Sequence, residues 1–250
     1  MRQGITDAVK HLLIINVIMF AGTLAIGNGE TFYQWFALHF PENKMFQPWQ
    51  IITHIFMHGG ITHILFNMFA LWMFGTAVEQ IFGWKKFIVF YMLSGLGAAI
   101  IQVAFLYFQY NSGLATLMET GIPQSEIVSI LNEGKYNTRW TSILGDNFNS
   151  FIGAFNSTMV GASGAIMGIL VAFGMLFPES KLMLIFLPIP IKAKYFIPAI
   201  IALDLFSGLT GQSIFSPSNT AYMAHVGGAF TGFLLMYFWK KNESDKYRWN

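Results

Sequence analysis

The chain has 250 residues, of which 54% are hydrophobic, 17% aromatic and only 10% charged, with a formal net charge of +2. This composition excludes an ordinary soluble domain and indicates an integral membrane protein. The small net charge gives no indication of nucleic-acid binding. The sequence contains no cysteine, which excludes disulfides, thiol catalysis and cysteine-based metal sites.

Six apolar segments are long enough to cross a bilayer as helices. They cover residues 9–26, 59–82, 84–107, 158–177, 193–209 and 221–239. No small-residue cleavage site follows the first segment, so we interpret it as a retained helix rather than a signal peptide. The sequence therefore predicts an all-α polytopic membrane protein, with residues 1–250 forming one six-helix domain.

Lysine and arginine are distributed unevenly over the loops between these segments. Only Lys44, Lys135 and Arg139 fall on one side of the predicted topology, and the other cations fall on the opposite side. By the positive-inside rule, both termini are expected in the cytoplasm. Three segments are then expected to face outward: the loop 28–53, the insertion 109–157 with a short helix over 125–133, and the cap loop 210–220.

Two polar residues of the second segment share one helix face. His63 and Asn67 are four residues apart, so they lie one turn from each other and can point at a common atom. Their plain interpretation is hydrogen bonding between membrane helices, where polar side chains are commonly used in this way.

A serine and a histidine in the later segments stand next to small residues. Ser163 lies in the stretch 161–164, Gly-Ala-Ser-Gly, and His225 lies beside a packing stripe formed by Gly228 and Gly232. Small residues let membrane helices approach closely, which is one reading of both stretches. If the two helices cross there, His225 would be placed against Ser163 and could serve as the base that a serine nucleophile needs.

Together these residues resemble the rhomboid family of intramembrane serine proteases, over about the whole chain. The resemblance lies in three motifs: His63-x-x-x-Asn67, Gly161-x-Ser163-Gly164 and Ala224-His225-x-x-Gly228-x-x-x-Gly232. It implies a nucleophile at Ser163 and a general base at His225, without a metal or other cofactor. It also implies transmembrane proteins in the lipid bilayer as substrates, which are cut near the outer membrane surface.

The resemblance assigns roles to further positions. It implies an oxyanion hole formed by His63, Asn67 and the backbone N–H of Ser163. It assigns the holding of water near the dyad to His54, Ser94 and Gln102. It also implies that Phe66 lines a substrate path between the second and fifth helices, and that the 210–220 loop covers the site.

Three features depart from the family pattern or bear on it. Gln50 follows Trp49 where many rhomboids have a Trp-Arg pair, so the polar anchoring of the 28–53 loop is expected to differ. Met167 stands where an aromatic residue often packs on the catalytic histidine, and a thioether can still pack there. We interpret Asp204, one segment before His225, as a structural polar contact, which leaves a dyad rather than a triad.

Other functions are weighed against this one. A metal-dependent hydrolase could use His54, His58 and His63 together with His225, although the sequence has no His-Glu-x-x-His pattern. A transporter or channel would need charged residues along a pore, and the segments offer few. An inactive family member that only binds membrane proteins would generally lack the serine or the histidine. No transit peptide precedes the first segment, which favours the cytoplasmic membrane of a bacterium.

Overall fold

The computed structural model describes residues 4–184, 187–213 and 221–246. Its helices are α1 (Asp7–Ala25), α2 (Glu30–Phe36), α3 (Gln50–Thr53), α4 (Ile61–Phe82), α5 (Trp84–Glu119), α6 (Gln124–Asn132), α7 (Arg139–Leu144), α8 (Asn147–Phe155), α9 (Ser163–Leu176), α10 (Ala193–Thr210) and α11 (Tyr222–Lys246). A π-helical turn, Leu71–Gly75, lies within α4. The strands form two antiparallel pairs, β1 (Leu38–His39) with β2 (Thr158–Met159), and β3 (Lys181–Leu184) with β4 (Leu187–Lys192).

Each of the six predicted segments contains a helix. Among the described residues, α1, α4, α5 and α10 are long and apolar enough to cross a membrane. Helix α9 is apolar but has only 14 residues, and α11 occupies the position of the sixth segment. The helical membrane architecture is thus confirmed, whereas the number of six crossings stays a prediction.

The boundaries of two predicted segments are wrong. The fourth was expected to begin at residue 158, but Thr158 and Met159 pair as β2 with β1, and α9 begins only at Ser163. Gly161, with φ at +128°, separates the strand from the helix, and this backbone conformation suits glycine. The third segment was expected to end at residue 107, but α5 continues to Glu119, because Tyr110 and Leu117 of the extension are buried against other helices.

Helix α11 lies between α5 and α9, and glycine makes both contacts close. A Cβ atom at Gly228 would collide with the carbonyl oxygen of Gly164, and one at Gly232 would lie 2.6 Å from the Cα atom of Gly168. On the other side, a Cβ atom at Gly227 would come 2.9 Å from the carbonyl oxygen of Gly97. Backbone-to-backbone packing of this kind fixes α11, which carries His225, against its two neighbours.

Glu79 joins the first and second long helices. Its buried carboxylate accepts hydrogen bonds from the backbone N–H groups of Ala8 and Val9, each at 2.9 Å, and from the hydroxyl of Thr6 at 2.6 Å. The first turn of α1 has N–H groups that no intrahelical carbonyl can satisfy, and its dipole favours a negative charge there. Glu79 therefore caps α1 from the far end of α4.

The two largest hydrophobic cores among the described residues lie at successive levels along α5. The inner core packs α1, α4, α5, α9 and α11 around side chains such as Leu71, Phe87 and Ile169. The outer core packs α6, α7 and α8 against the second half of α5, around Tyr110, Ile127 and other buried side chains. The 109–157 insertion is therefore a folded helical layer, and its α6 lies within one residue of the predicted helix over 125–133.

Candidate active site

Ser163 is the first residue of α9 and follows a sharply turned segment. The backbone N–H of Gly161 donates to the carbonyl of His54 at 2.9 Å, which ties this segment to the chain before α4. Because Ser163 opens a helix, the backbone N–H groups of that first turn have no intrahelical partner. The hydroxyl is thus placed beside backbone donors that can stabilise a developing negative charge.

His225 contacts Ser163 directly. The distance between Nε2 of His225 and Oγ of Ser163 is 2.9 Å, within hydrogen-bonding range. The start of α11 is itself fixed, because the side-chain oxygen of Gln102 accepts the backbone N–H of Ala224 at 3.1 Å. The structure therefore brings together the two residues that the sequence predicts as nucleophile and base.

Asp204 lies on the other side of the His225 ring. Its Oδ2 atom is 2.9 Å from Nδ1 of His225, and the two side chains are 8% and 15% exposed, respectively. The expectation that no carboxylate stands in the place of a third member is therefore wrong. Asp204 and His225 are 21 positions apart, and spacing along the chain does not show which faces of two helices meet.

His63 presents one ring nitrogen to the neighbourhood of Ser163. Its Nδ1 atom accepts the backbone N–H of Gly59 at 3.3 Å, so the neutral ring carries its proton on Nε2. A Cβ atom built on Gly161 would lie 2.9 Å from that Nε2 atom and 3.6 Å from Oγ of Ser163. The N–H of Nε2 is thus positioned at the segment that leads into Ser163.

Asn67 lies one turn after His63 and is 7% exposed. Within the described residues, its side-chain nitrogen Nδ2 is buried and has no hydrogen-bond partner. Buried polar atoms without a partner are uncommon in folded proteins, and an oxyanion that forms only during a reaction would supply one. The structure leaves the amide N–H groups of Asn67 available for such a role.

The residues expected to hold water are all buried. His54 uses its Nδ1 in a 2.9 Å hydrogen bond with the carbonyl of Gln50, and Gln102 supports α11 as described above. Ser94 is fully buried against Gly168, and among the described residues its hydroxyl has no partner. Water retention by these three residues stays a prediction.

Two further predicted elements bear on access to the site. Phe66 is 47% exposed on α4, so its ring is available to a neighbouring molecule, and its gating role stays a prediction. Residues 214–220 of the predicted 210–220 cap lie outside the described residues. Of the remainder, α10 ends at Thr210 and Gly211 follows in the left-handed conformation.

The histidines do not form a cation site with carboxylates. In the described part of the chain, no three histidine, aspartate or glutamate side chains are grouped closely enough to hold a metal ion. The rings of His58 and His63 meet edge to face at 5.1 Å, which is a packing contact. The metal-dependent alternative therefore gains no ligand set from this geometry.

Comparison with known proteins identifies the family. The profile of the Rhomboid domain matches residues 45–121 and 136–242, which is well over half of the chain. The chain belongs to the rhomboid family. The prediction made from the three motifs is thereby confirmed, and the unmatched residues 122–135 of this rhomboid include α6.

Curated relatives match the chain over a shorter stretch. The Rhomboid protease GlpG of Salmonella choleraesuis (strain SC-B67) is 36% identical over 94 residues, covering 38% of this chain and 34% of that protein. The protein of the same name from Salmonella typhi is 35% identical over 94 residues, with the same coverage. The match to this rhomboid thus spans about a third of the length of these relatives.

The two departures from the rhomboid pattern have different structural outcomes. Gln50 is fully buried and bonds the backbone of the 28–53 loop on both sides, which replaces an arginine anchor with a neutral one. Met167 packs in a cluster with Val171 and Ala229. Position 167 thus has no aromatic ring to pack on His225. The His225 ring is instead contacted by the carboxylate of Asp204.

Proposed function

We propose that this rhomboid is an intramembrane serine endopeptidase that cuts transmembrane proteins. The observation that carries the proposal is the 2.9 Å contact between Oγ of Ser163 and Nε2 of His225, inside a helical membrane protein of the rhomboid family. Proteins named Rhomboid protease GlpG among the relatives support the same activity. The same relatives favour the cytoplasmic membrane of a bacterium, with both termini in the cytoplasm as the charge pattern predicts.

The reaction follows from the contact between the Ser163 hydroxyl and the His225 ring. Oγ of Ser163 attacks the carbonyl carbon of a substrate peptide while Nε2 of His225 takes the hydroxyl proton. His225 then gives that proton to the departing amine, and the C–N bond breaks to leave an acyl-enzyme. Water, deprotonated by His225, attacks the ester and releases the second product with Ser163 restored.

The negative oxygen of the tetrahedral intermediate would be stabilised by His63, Asn67 and the N–H of Ser163. Nε2 of His63 carries a proton, and Nδ2 of Asn67 has free N–H groups within the described structure. Loss of one oxyanion donor typically lowers kcat by about 100- to 1,000-fold. We expect His63→Ala and Asn67→Ala each to lower kcat on this scale, with KM little changed, in steady-state cleavage of a transmembrane substrate.

The decisive experiment uses purified protein reconstituted in vesicles with a single-span substrate. Cleavage is expected from the wild type and not from Ser163→Ala or His225→Ala. His11→Ala serves as the matched control, because His11 is exposed on α1 and its ring hydrogen-bonds the nearby carbonyl of Asp7. Undiminished cleavage by either of the first two variants would refute the assignment, and cleavage that a chelator abolishes would favour the metal-dependent alternative.

A further inference from the structure

Asp204 is an acid in the interior of an apolar helix. It lies within α10, is 6% exposed, and its carboxylate contacts the ring of His225. An ionised carboxylate is costly inside a membrane protein unless a partner compensates for the lost hydration. The partner here is the histidine that the proposed function makes the general base.

The three side chains form a continuous chain of hydrogen bonds. Oδ2 of Asp204 is 2.9 Å from Nδ1 of His225, and Nε2 of the same ring is 2.9 Å from Oγ of Ser163. A carboxylate in its ionised form only accepts hydrogen bonds, so with that form of Asp204 the ring proton of His225 lies on Nδ1. The lone pair of Nε2 then faces the serine hydroxyl, which is the tautomer that a general base requires.

We propose that Asp204 is a positioning residue that converts the serine–histidine pair into a Ser163–His225–Asp204 triad. This inference rests on the proposed function. The carboxylate fixes the tautomer and the orientation of the His225 ring, and it stabilises the positive charge that the ring gains when it takes the serine proton. Asp204 itself exchanges no proton during the reaction.

The surroundings of His225 explain why a carboxylate has this role here. Met167, at the position four residues after the serine, is a flexible side chain without a planar face to hold a ring. Helix α11 positions the backbone of His225 through its glycine contacts, but the side-chain torsions of His225 need a contact of their own. Asp204 supplies that contact from a third helix, so α9, α10 and α11 each contribute one member.

The test separates orientation of the base from support of the fold. Asp204→Asn keeps the size of the side chain but removes its charge, and Asp204→Ala removes both. The rate constant and the final extent of Ser163 modification by a fluorophosphonate are measured, together with kcat and KM for a transmembrane substrate. Ser207→Ala is the matched control, because Ser207 is a buried polar residue of the same helix.

Both Asp204 variants are expected to lose at least tenfold, and up to about 10⁴-fold, in the rate constant of modification and in kcat. The extent of modification and KM are expected to stay within twofold of the wild type, as is every parameter of Ser207→Ala. A merely structural carboxylate would instead lower the extent of modification, or the thermal midpoint, without changing the rate constant of the folded fraction.

Three outcomes would overturn the inference while leaving the proposed function intact. They are an Asp204→Asn rate constant within twofold of the wild type, a loss confined to the extent of modification, and a failure of Asp204→Asn to fold at all. The last would assign the carboxylate to the fold. Failure of the proposed function is distinguishable, because Ser163→Ala or His225→Ala would then cleave substrate like the wild type.

Discussion

Gln50 lies fully buried beneath the 28–53 loop and bonds four of its backbone groups. Its amide nitrogen donates to the carbonyls of Gln34 and Met45, at 2.9 and 3.0 Å. Its amide oxygen accepts the N–H groups of His39 and Gln47, at 3.3 and 3.1 Å. A single neutral amide can satisfy two donors and two acceptors, whereas an arginine side chain only donates.

Replacement of Gln50 should therefore destabilise the loop. Gln50→Leu keeps the approximate volume but removes the side-chain partner of four buried or partly buried backbone groups, and we expect a loss of about 3 kcal/mol in the free energy of unfolding. Gln34→Ala is the control, because it removes an exposed side chain and keeps the carbonyl that Gln50 uses. The free energies of unfolding of both variants are measured on purified protein in mixed micelles. Equal values for Gln50→Leu and Gln34→Ala would contradict this account.

At the scale of the helices, the contact between α9 and α11 sets the distance between the Ser163 hydroxyl and the His225 ring. Gly228 has no room for a methyl group against the carbonyl of Gly164, so Gly228→Ala must push the two helices apart. A displacement of about 1 Å can cost 100-fold in rate. We expect Gly228→Ala to lower the rate of fluorophosphonate modification of Ser163 by about this factor.

The control for this substitution is Gly153→Ala in α8, where a Cβ atom would meet nothing within 4 Å. Gly153→Ala makes the same change on a helix that bears neither Ser163 nor His225. The rate of Ser163 modification in this variant should therefore equal that of the wild type. A normal rate in Gly228→Ala would show that the helices can adjust without disturbing the pair.

The β1–β2 pair contains a histidine that responds to pH. His39 bonds the carbonyl of Tyr33 and the hydroxyl of Thr158, and burial lowers its pKa from the ordinary value, with the Tyr33 carbonyl partly opposing the shift. A base with a lowered pKa in the folded state takes up its proton more readily when unfolded. The stability it contributes is therefore complete above about pH 6.5 and is lost as the pH falls below that value.

The thermal midpoint of the wild type should accordingly fall on acidification from pH 7 to pH 5. The thermal midpoint of His39→Gln should fall by less over the same range. Both proteins are measured by the same thermal unfolding assay in one detergent. Identical pH profiles would mean that other groups determine the acid sensitivity.

Some elements were readable from the sequence, and others depended on contacts between distant segments. The apolar lengths and the motifs around His63, Ser163 and His225 indicated the helices and the residues of the candidate site, because each signal is local. The start of α9 was predicted too early, because Thr158 pairs with His39, more than 100 residues away in the sequence, and the helix begins only at Ser163. The contact between Asp204 and His225 was not predicted for a related reason, because it depends on the rotation of α10 relative to α11.

At the scale of the whole molecule, the 36 residues of α5 span about 54 Å, whereas the hydrocarbon layer is about 30 Å thick. The outer core packs against the part of α5 that exceeds this thickness. The inner and outer cores therefore share one helix. Ile127 in the outer core and Ile169 in the inner core are both fully buried. The two positions offer a matched pair for testing whether the two cores act separately.

We expect Ile127→Ala to cost about 2–5 kcal/mol locally, which should increase protease sensitivity within residues 109–157. The rate and extent of Ser163 modification should stay at the wild-type level. Ile169→Ala should instead lower the temperature at which modification of Ser163 is lost, because it opens a cavity in the serine-bearing helix. A loss of modification in Ile127→Ala as large as in Ile169→Ala would indicate one cooperative unit.

The length of α9 has a consequence for the substrate. Its 14 residues span about 21 Å, so a helix that reaches the far side of a 30 Å hydrocarbon layer begins about 9 Å below the near side. Ser163 stands at that beginning. On the proposed function, a substrate helix beside α9 would have to unwind by about six residues, at 1.5 Å each, before a carbonyl could reach the hydroxyl. The short length of α9 would then favour transmembrane segments whose outer turns are weakly helical.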